Sequence, residues 1–164
     1  MWETQVQGFA SAPAARAWTI EVMAELARGA AVRTDWRALA LQVARACPPN
    51  DSKCLADAAW SWLRGRLIYL RDPPHAELVA DPSFTVAAGG GDCDDLAVAV
   101  AALLLALGLR AGYVPGVLLS SGTPHILTAV DLGGRWYPCD LAGAYLAPGQ
   151  WPPTFRADAV LPLA

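Results

Sequence analysis

The apolar run from Leu96 to Leu107, 12 residues without a polar side chain, follows directly on Gly89-Gly90-Gly91-Asp92-Cys93-Asp94-Asp95. A helix needs about 20 apolar residues to cross a bilayer, so this run is too short to span one. The spacing predicts a helix from Asp94 to Leu107, stopped by Gly108 and apolar nearly all round. Such a helix has no face to offer water, so the rest of the chain must wrap it.

With 164 residues the chain has enough material to do so, since a domain of this size buries roughly 70% of its unfolded surface. Upstream, Trp18, Val22, Met23 and Leu26 recur at helical spacing within Ala15 to Arg28, before Gly29. Thr34 or Asp35 can cap a second helix carrying Trp36, Leu39, Ala40 and Val43, which Pro48-Pro49 ends. Asp51 or Ser52 can cap a third, running through Leu55, Ala59, Trp62 and Leu63 toward Tyr69. From Arg71 to Asp92, prolines and glycines dominate, which reads as loop with at most short structured pieces. Past Gly108 the period changes, with strand-like runs at Ala111 to Leu119, His125 to Leu132 and Arg135 to Leu141. Helices followed by antiparallel strands make an α+β fold. The expected organisation is one domain over residues 1–164: a helical part at 1–70, a loop at 71–92, and the cysteine-bearing helix with its sheet at 93–164.

Composition excludes several function classes. The chain is 55% hydrophobic and 16% charged, with a net charge of −3. No basic stripe is present on which a nucleic acid could dock. The amino-terminal stretch through Trp18 lacks the basic and unbroken apolar regions of a secretory signal. Four cysteines (Cys47, Cys54, Cys93 and Cys139) are too few and too unevenly spaced for a disulfide framework, so a reducing compartment and free thiols are expected, although CPPNDSKC is a connection that could bring Cys47 and Cys54 together.

A thiol attacks as thiolate, and a helix start, with free N–H groups and a positive dipole end, favours that form. Cys93 is expected there. Its first-turn N–H groups could also hold an oxyanion. Asp92, Asp94 and Asp95 oppose this, because negative charge raises a thiol pKa, and an imidazole must then compensate. A buried cysteine that simply opens a core helix is the plainer alternative. Two histidines are available. His75 follows Pro73-Pro74 and reads as an exposed loop residue. His125 opens a strand whose hairpin partner can be counted. A two-residue turn at Gly133-Gly134 pairs Leu132 with Arg135 and Asp140 with residue 127, so that His125 and Asp140 become diagonal neighbours on one face. A carboxylate placed there would fix the imidazole tautomer. The same parity sends Cys139 to the opposite face, whereas a three-residue loop would reverse it. A zinc site using Cys93, His125, Asp140 and Cys139 has no compact metal-binding spacing to support it.

Gly91-Asp92-Cys93 opening an apolar helix, then Leu107-Gly108-Leu109-Arg110, then His125, then Gly134-Arg135-Trp136 leading to Asp140, resembles the transglutaminase-like superfamily over roughly the last hundred residues. Tyr69, Asp72-Pro73 and Asp81-Pro82 are similar to small phage and prophage versions of that domain. The resemblance implies a papain-like fold, with Cys93 as nucleophile, His125 as general base and then acid, and Asp140 as the residue that orients it. It implies a peptidase or amidase working through a thioester, without cofactor or calcium, on a peptide or cell-wall peptide. It also implies synthesis in the bacterial cytoplasm and protein partners in a phage tail or virion. The alternative is a structural virion protein that keeps the fold with an idle site. One departure is visible: where many members carry H-x-W-x-E, this chain has His125-Ile126-Leu127-Thr128-Ala129.

Overall fold

The computed structural model describes residues 12–72, 78–143 and 146–163, with side chains described from residue 16 onward. His75 and the amino-terminal residues 1–11, on which the signal-peptide reading partly rests, lie outside the described residues.

Among the described residues, five helices and seven strands follow in the order α1 (Ala12–Ala31), α2 (Thr34–Ala44), α3 (Ser52–Arg64), β1 (Ile68–Tyr69), α4 (Pro82–Ala88), β2 (Gly90–Gly91), α5 (Cys93–Ala106), β3 (Ala111–Leu118), β4 (Thr123–Asp131), β5 (Trp136–Pro138), β6 (Phe155–Ala157) and β7 (Leu161–Pro162). The fold is α+β. Helix α5 is its axis: every residue from Leu96 to Leu104 is buried. Helices α1 to α4 cover one side, and β3 and β4 cover the other. Truncating Leu103 or Leu104 to Ala would cost about 2–5 kcal/mol, because the wrapped position leaves a cavity with nothing to collapse into it. Two buried hydroxyls tie the layers together. Thr128 Oγ1 donates to the Ala97 carbonyl at 2.7 Å, and Tyr113 Oη donates to the Met23 carbonyl at 3.0 Å. No helix of the described residues is long and apolar enough to cross a membrane.

The larger sheet has the order β5-β4-β3-β6, with β7 also on β3, and all its pairings are antiparallel. Strands β6 and β7 are absent from the sequence expectation because they are two or three residues long in a Pro-rich tail, too short for alternation to show. They form because β3 has a free edge to pair with.

Other differences have local causes. The second helix begins without a side-chain cap, its N-cap being Arg33. That guanidinium instead bridges to Asp81 at 2.6 Å, while Asp81 caps α4 by accepting from Ser83 N at 2.8 Å. Helix α4 lies inside the expected loop and carries its own signals, Pro82 in its first turn and Gly89 at φ 79° just past its end. The third helix stops at Arg64, earlier than the expected Tyr69, and the chain straightens so that Ile68 and Tyr69 pair in parallel with Gly90 and Gly91.

The expectation of free thiols at Cys47 and Cys54 is overturned, because the two form a disulfide. The Pro48-Pro49 turn, completed by Asn50 at φ 63° and the Asp51 cap on α3, folds the chain back until the two Cα atoms are 5.6 Å apart. Cys93 and Cys139 are free.

Candidate active site

Cys93 is the first residue of α5, one position earlier than the helix read from the sequence. Its entry is fixed by capping and by close approach. Asp92 accepts from Asp94 N at 3.3 Å, and Asp94 Oδ1 accepts from Asp95 N at 2.9 Å. Asp95 is turned inward, where its Oδ1 accepts from Ala80 N at 2.8 Å. A Cβ on Gly91 would stand 2.4 Å from the Asp95 Cβ, so only glycine lets β2 lie against this first turn.

Cys93 itself is half-buried, and the backbone N–H of Ile126, the residue after His125, donates to its sulfur. Burial, and then the negative charges of Asp92 and Asp94, push the thiol up to about 12, with the Ile126 N–H working in the opposite direction. The lowering expected from the helix start is therefore outweighed. At rest Cys93 is a neutral thiol. Burial also pushes the Asp95 carboxyl up to about 7, against the stabilising bond from Ala80.

His125 and Asp140 meet. Strands β4 and β5 pair Asp131 with Trp136, Val130 with Tyr137 and Ala129 with Pro138. Leu132 N donates to Arg135 O at 2.9 Å, which closes the two-residue turn, and both turn glycines have positive φ, 68° and 89°. The pairing continues past the strand, where Cys139 N donates to Thr128 O at 2.8 Å. The resulting diagonal brings His125 Nε2 to 2.8 Å from Asp140 Oδ2, with side-chain exposures of 7% and 4%. With Nε2 committed to the carboxylate, Nδ1 is the ring nitrogen left for another partner.

Asp140 is held from several directions. Its Oδ1 accepts from Ala142 N at 2.8 Å, and its carbonyl accepts from Trp60 Nε1 at 2.8 Å. Arg64 donates to the next carbonyl, that of Leu141, at 2.6 Å. Trp60 and Arg64 are residues that sequence reasoning missed. Both sit on α3, some 80 positions from Asp140, and no local pattern connects them. Phe155 is a third, packed edge-on against His125. Cys139 is buried on the other face as the parity requires, its sulfur 3.8 Å from the Tyr137 carbonyl oxygen.

Asp92, Asp94 and Asp95 bring carboxylate oxygens within 4.8 Å of one another, the only such acidic, histidine or cysteine group among the described residues. Capping and the Ala80 bond account for this arrangement.

The sequence profile of the transglutaminase-like superfamily matches residues 37–141, more than half of the chain and a span that holds Cys93, His125 and Asp140. The chain belongs to this superfamily. No curated protein matches the sequence. Among solved structures, a putative cysteine protease from Cytophaga hutchinsonii superposes with a TM-score of 0.55 at 21% identity, over 79% of this chain. This chain spans only 41% of that protein's length. LapG of Legionella pneumophila, in its calcium-bound form, superposes with a TM-score of 0.56 at 19% identity, over 84% of this chain and 81% of LapG. Its EGTA-treated form gives 0.53. These likenesses support the fold.

Proposed function

We propose that this transglutaminase-like chain is a cysteine-dependent hydrolase of amide bonds, a peptidase or amidase, with Cys93 as nucleophile, His125 as general base and then acid, and Asp140 as the orienting residue. The observation that carries the reading is the buried 2.8 Å contact of His125 with Asp140, next to a thiol that is bonded by the amide following that histidine.

The field around Cys93 decides how the proton must move. Releasing it to water would leave a thiolate half-buried among Asp92 and Asp94, which is unfavourable. Passing it to His125 Nδ1 creates a thiolate and an imidazolium together, with Asp140 stabilising the cation. The sulfur then forms a bond to the substrate carbonyl carbon as the C=O π pair moves to oxygen. The imidazolium gives its proton to the departing amine nitrogen as the C–N bond breaks, which leaves a thioester. Water, deprotonated by His125, attacks that thioester. The C–S bond breaks, and the acid product and the thiol are restored.

The amides of Asp94 and Asp95 already serve the Asp92 and Asp94 side chains. The first-turn donor left for the oxyanion is therefore the N–H of Cys93 itself. A buried histidine–aspartate pair costs desolvation that an assembly module would have no reason to meet, which favours the enzyme over the structural reading. A peptide or cell-wall substrate, bacterial cytoplasmic synthesis and a place in a phage tail or virion rest on the sequence resemblance alone.

Incubation with p-nitrophenyl acetate tests the reading. A single acetyl group should accumulate on Cys93, be absent in Cys93→Ser, and form more slowly in His125→Ala. Acetylation that is indifferent to both substitutions would refute the assignment.

A further inference from the structure

Beside His125 the fold builds an aromatic wall that proton transfer does not use. The Phe155 ring meets the imidazole edge-on, with centroids 5.7 Å apart and planes at 85°. Trp151 stacks on the same Phe155 ring at 6.3 Å, with the planes 11° apart. The series His125, Phe155, Trp151 therefore runs outward from the buried pair to an indole that is 43% exposed.

The backbone is shaped to allow this. Gly116 of β3 lies opposite His125 on one side and opposite Ala157 of β6 on the other. The Phe155 ring lies across that gap: a Cβ on Gly116 would stand 2.6 Å from Phe155 Cε2 and closer still to the Arg156 carbonyl. Any side chain at position 116 would push the ring off the imidazole. The turn carrying Trp151 is fastened to the end of β3, since Leu119 N donates to Thr154 O at 2.9 Å and Phe155 N donates to Pro152 O at 3.1 Å. Leu119, 58% exposed, adds apolar surface next to this turn. An exposed apolar surface continuous with a buried reactive residue is where a substrate side chain gains most from leaving water.

We infer that Trp151 and Phe155 form one wall of a substrate subsite, which accepts an aromatic or bulky apolar side chain next to the bond presented to Cys93. The inference rests on the proposed roles of Cys93 and His125. A flat ring laid against Trp151 buries area on both partners, whereas a methyl group gains little there.

Two N-acetylated chloromethyl ketones, built on phenylalanine and on alanine, probe the wall through the rate at which each alkylates Cys93, followed by mass spectrometry. The phenylalanyl reagent should react about tenfold faster or more, and in Trp151→Ala the ratio should fall toward one. A ratio near one in the natural sequence, or a ratio that survives Trp151→Ala, overturns the subsite. If neither alkylation depends on His125, the proposed function fails, and the subsite is then judged by binding. In Cys93→Ala protein the indole N–H resonance of Trp151, assigned by its loss in Trp151→Phe, should shift with N-acetylphenylalaninamide and stay in place with N-acetylalaninamide. No shift with the aromatic amide overturns the subsite independently of any reaction.

Discussion

His125 Nε2 and Asp140 Oδ2 stand 2.8 Å apart although the residues are 15 positions distant and belong to different arms of the β4–β5 hairpin. The contact depends on the Gly133-Gly134 turn, because one added residue would send Asp140 to the opposite face of the sheet. Inserting a single glycine between Gly133 and Gly134 should therefore abolish acylation of Cys93. Far-ultraviolet circular dichroism should change little, since the β3–β4 ladder and the helices do not depend on that turn.

Asp92→Asn should increase the reactivity of Cys93. The Asp92 charge is among the causes holding the thiol up at about 12, so removing it favours the thiolate and moves the pKa down. Asparagine caps a helix as well as aspartate does, so stability should hold. Alkylation rates measured at pH 8 should rise several-fold over the natural sequence.

Asp95 predicts a pH effect on stability. Its carboxyl is raised to about 7 in the folded chain, whereas an unfolded Asp titrates near about 3.9. Between these values the folded state holds a proton that the unfolded state has lost, so stability falls as pH rises through this window. Asp95→Asn keeps the acceptor for Ala80 N and removes the titration. Thermal melts should show a flatter profile between about pH 4 and 7, with a gain on the order of 1–3 kcal/mol at the upper end.

Trp60→Phe removes the indole donor while keeping most of the ring. The Asp140 carbonyl is then left buried without its 2.8 Å partner, which should cost about 1–3 kcal/mol in urea unfolding. Acylation should slow as well, because the backbone that aims Asp140 at His125 loses a support.

Reducing the Cys47–Cys54 disulfide, which closes a separation of 7 residues, should lower stability by about 2 kcal/mol on the loop-entropy scale. Melts with and without dithiothreitol, in a Cys93→Ala, Cys139→Ala background to prevent exchange, measure it.

The parts of this structure legible in the sequence were those written in local periodicity. The apolar run after Cys93 is a buried helix, and the glycine pair sets a hairpin register that the ladder reproduces residue for residue. Capping signals located α3, whose N-cap is Asp51. What the sequence hid depends on distance or on brevity. Trp60 reaches Asp140 across some 80 positions, and Phe155 reaches His125 only because Gly116 between them has no side chain. Helix α4 is seven residues long and was obscured by its proline and glycine neighbours. The thiol field was legible in sign, since three acids flank Cys93, but its size follows from burial, which a string of letters does not display.

The rate at which iodoacetamide labels Cys93 between about pH 5 and 9, in the natural sequence and in His125→Ala, tests the central claim most directly. If His125 takes the thiol proton, labelling near neutral pH should fall at least about tenfold when the imidazole is removed, since burial and the charges of Asp92 and Asp94 disfavour release of that proton to water. A rate that rises like that of an ordinary thiol near about 8.5, and ignores the loss of His125, would contradict the account.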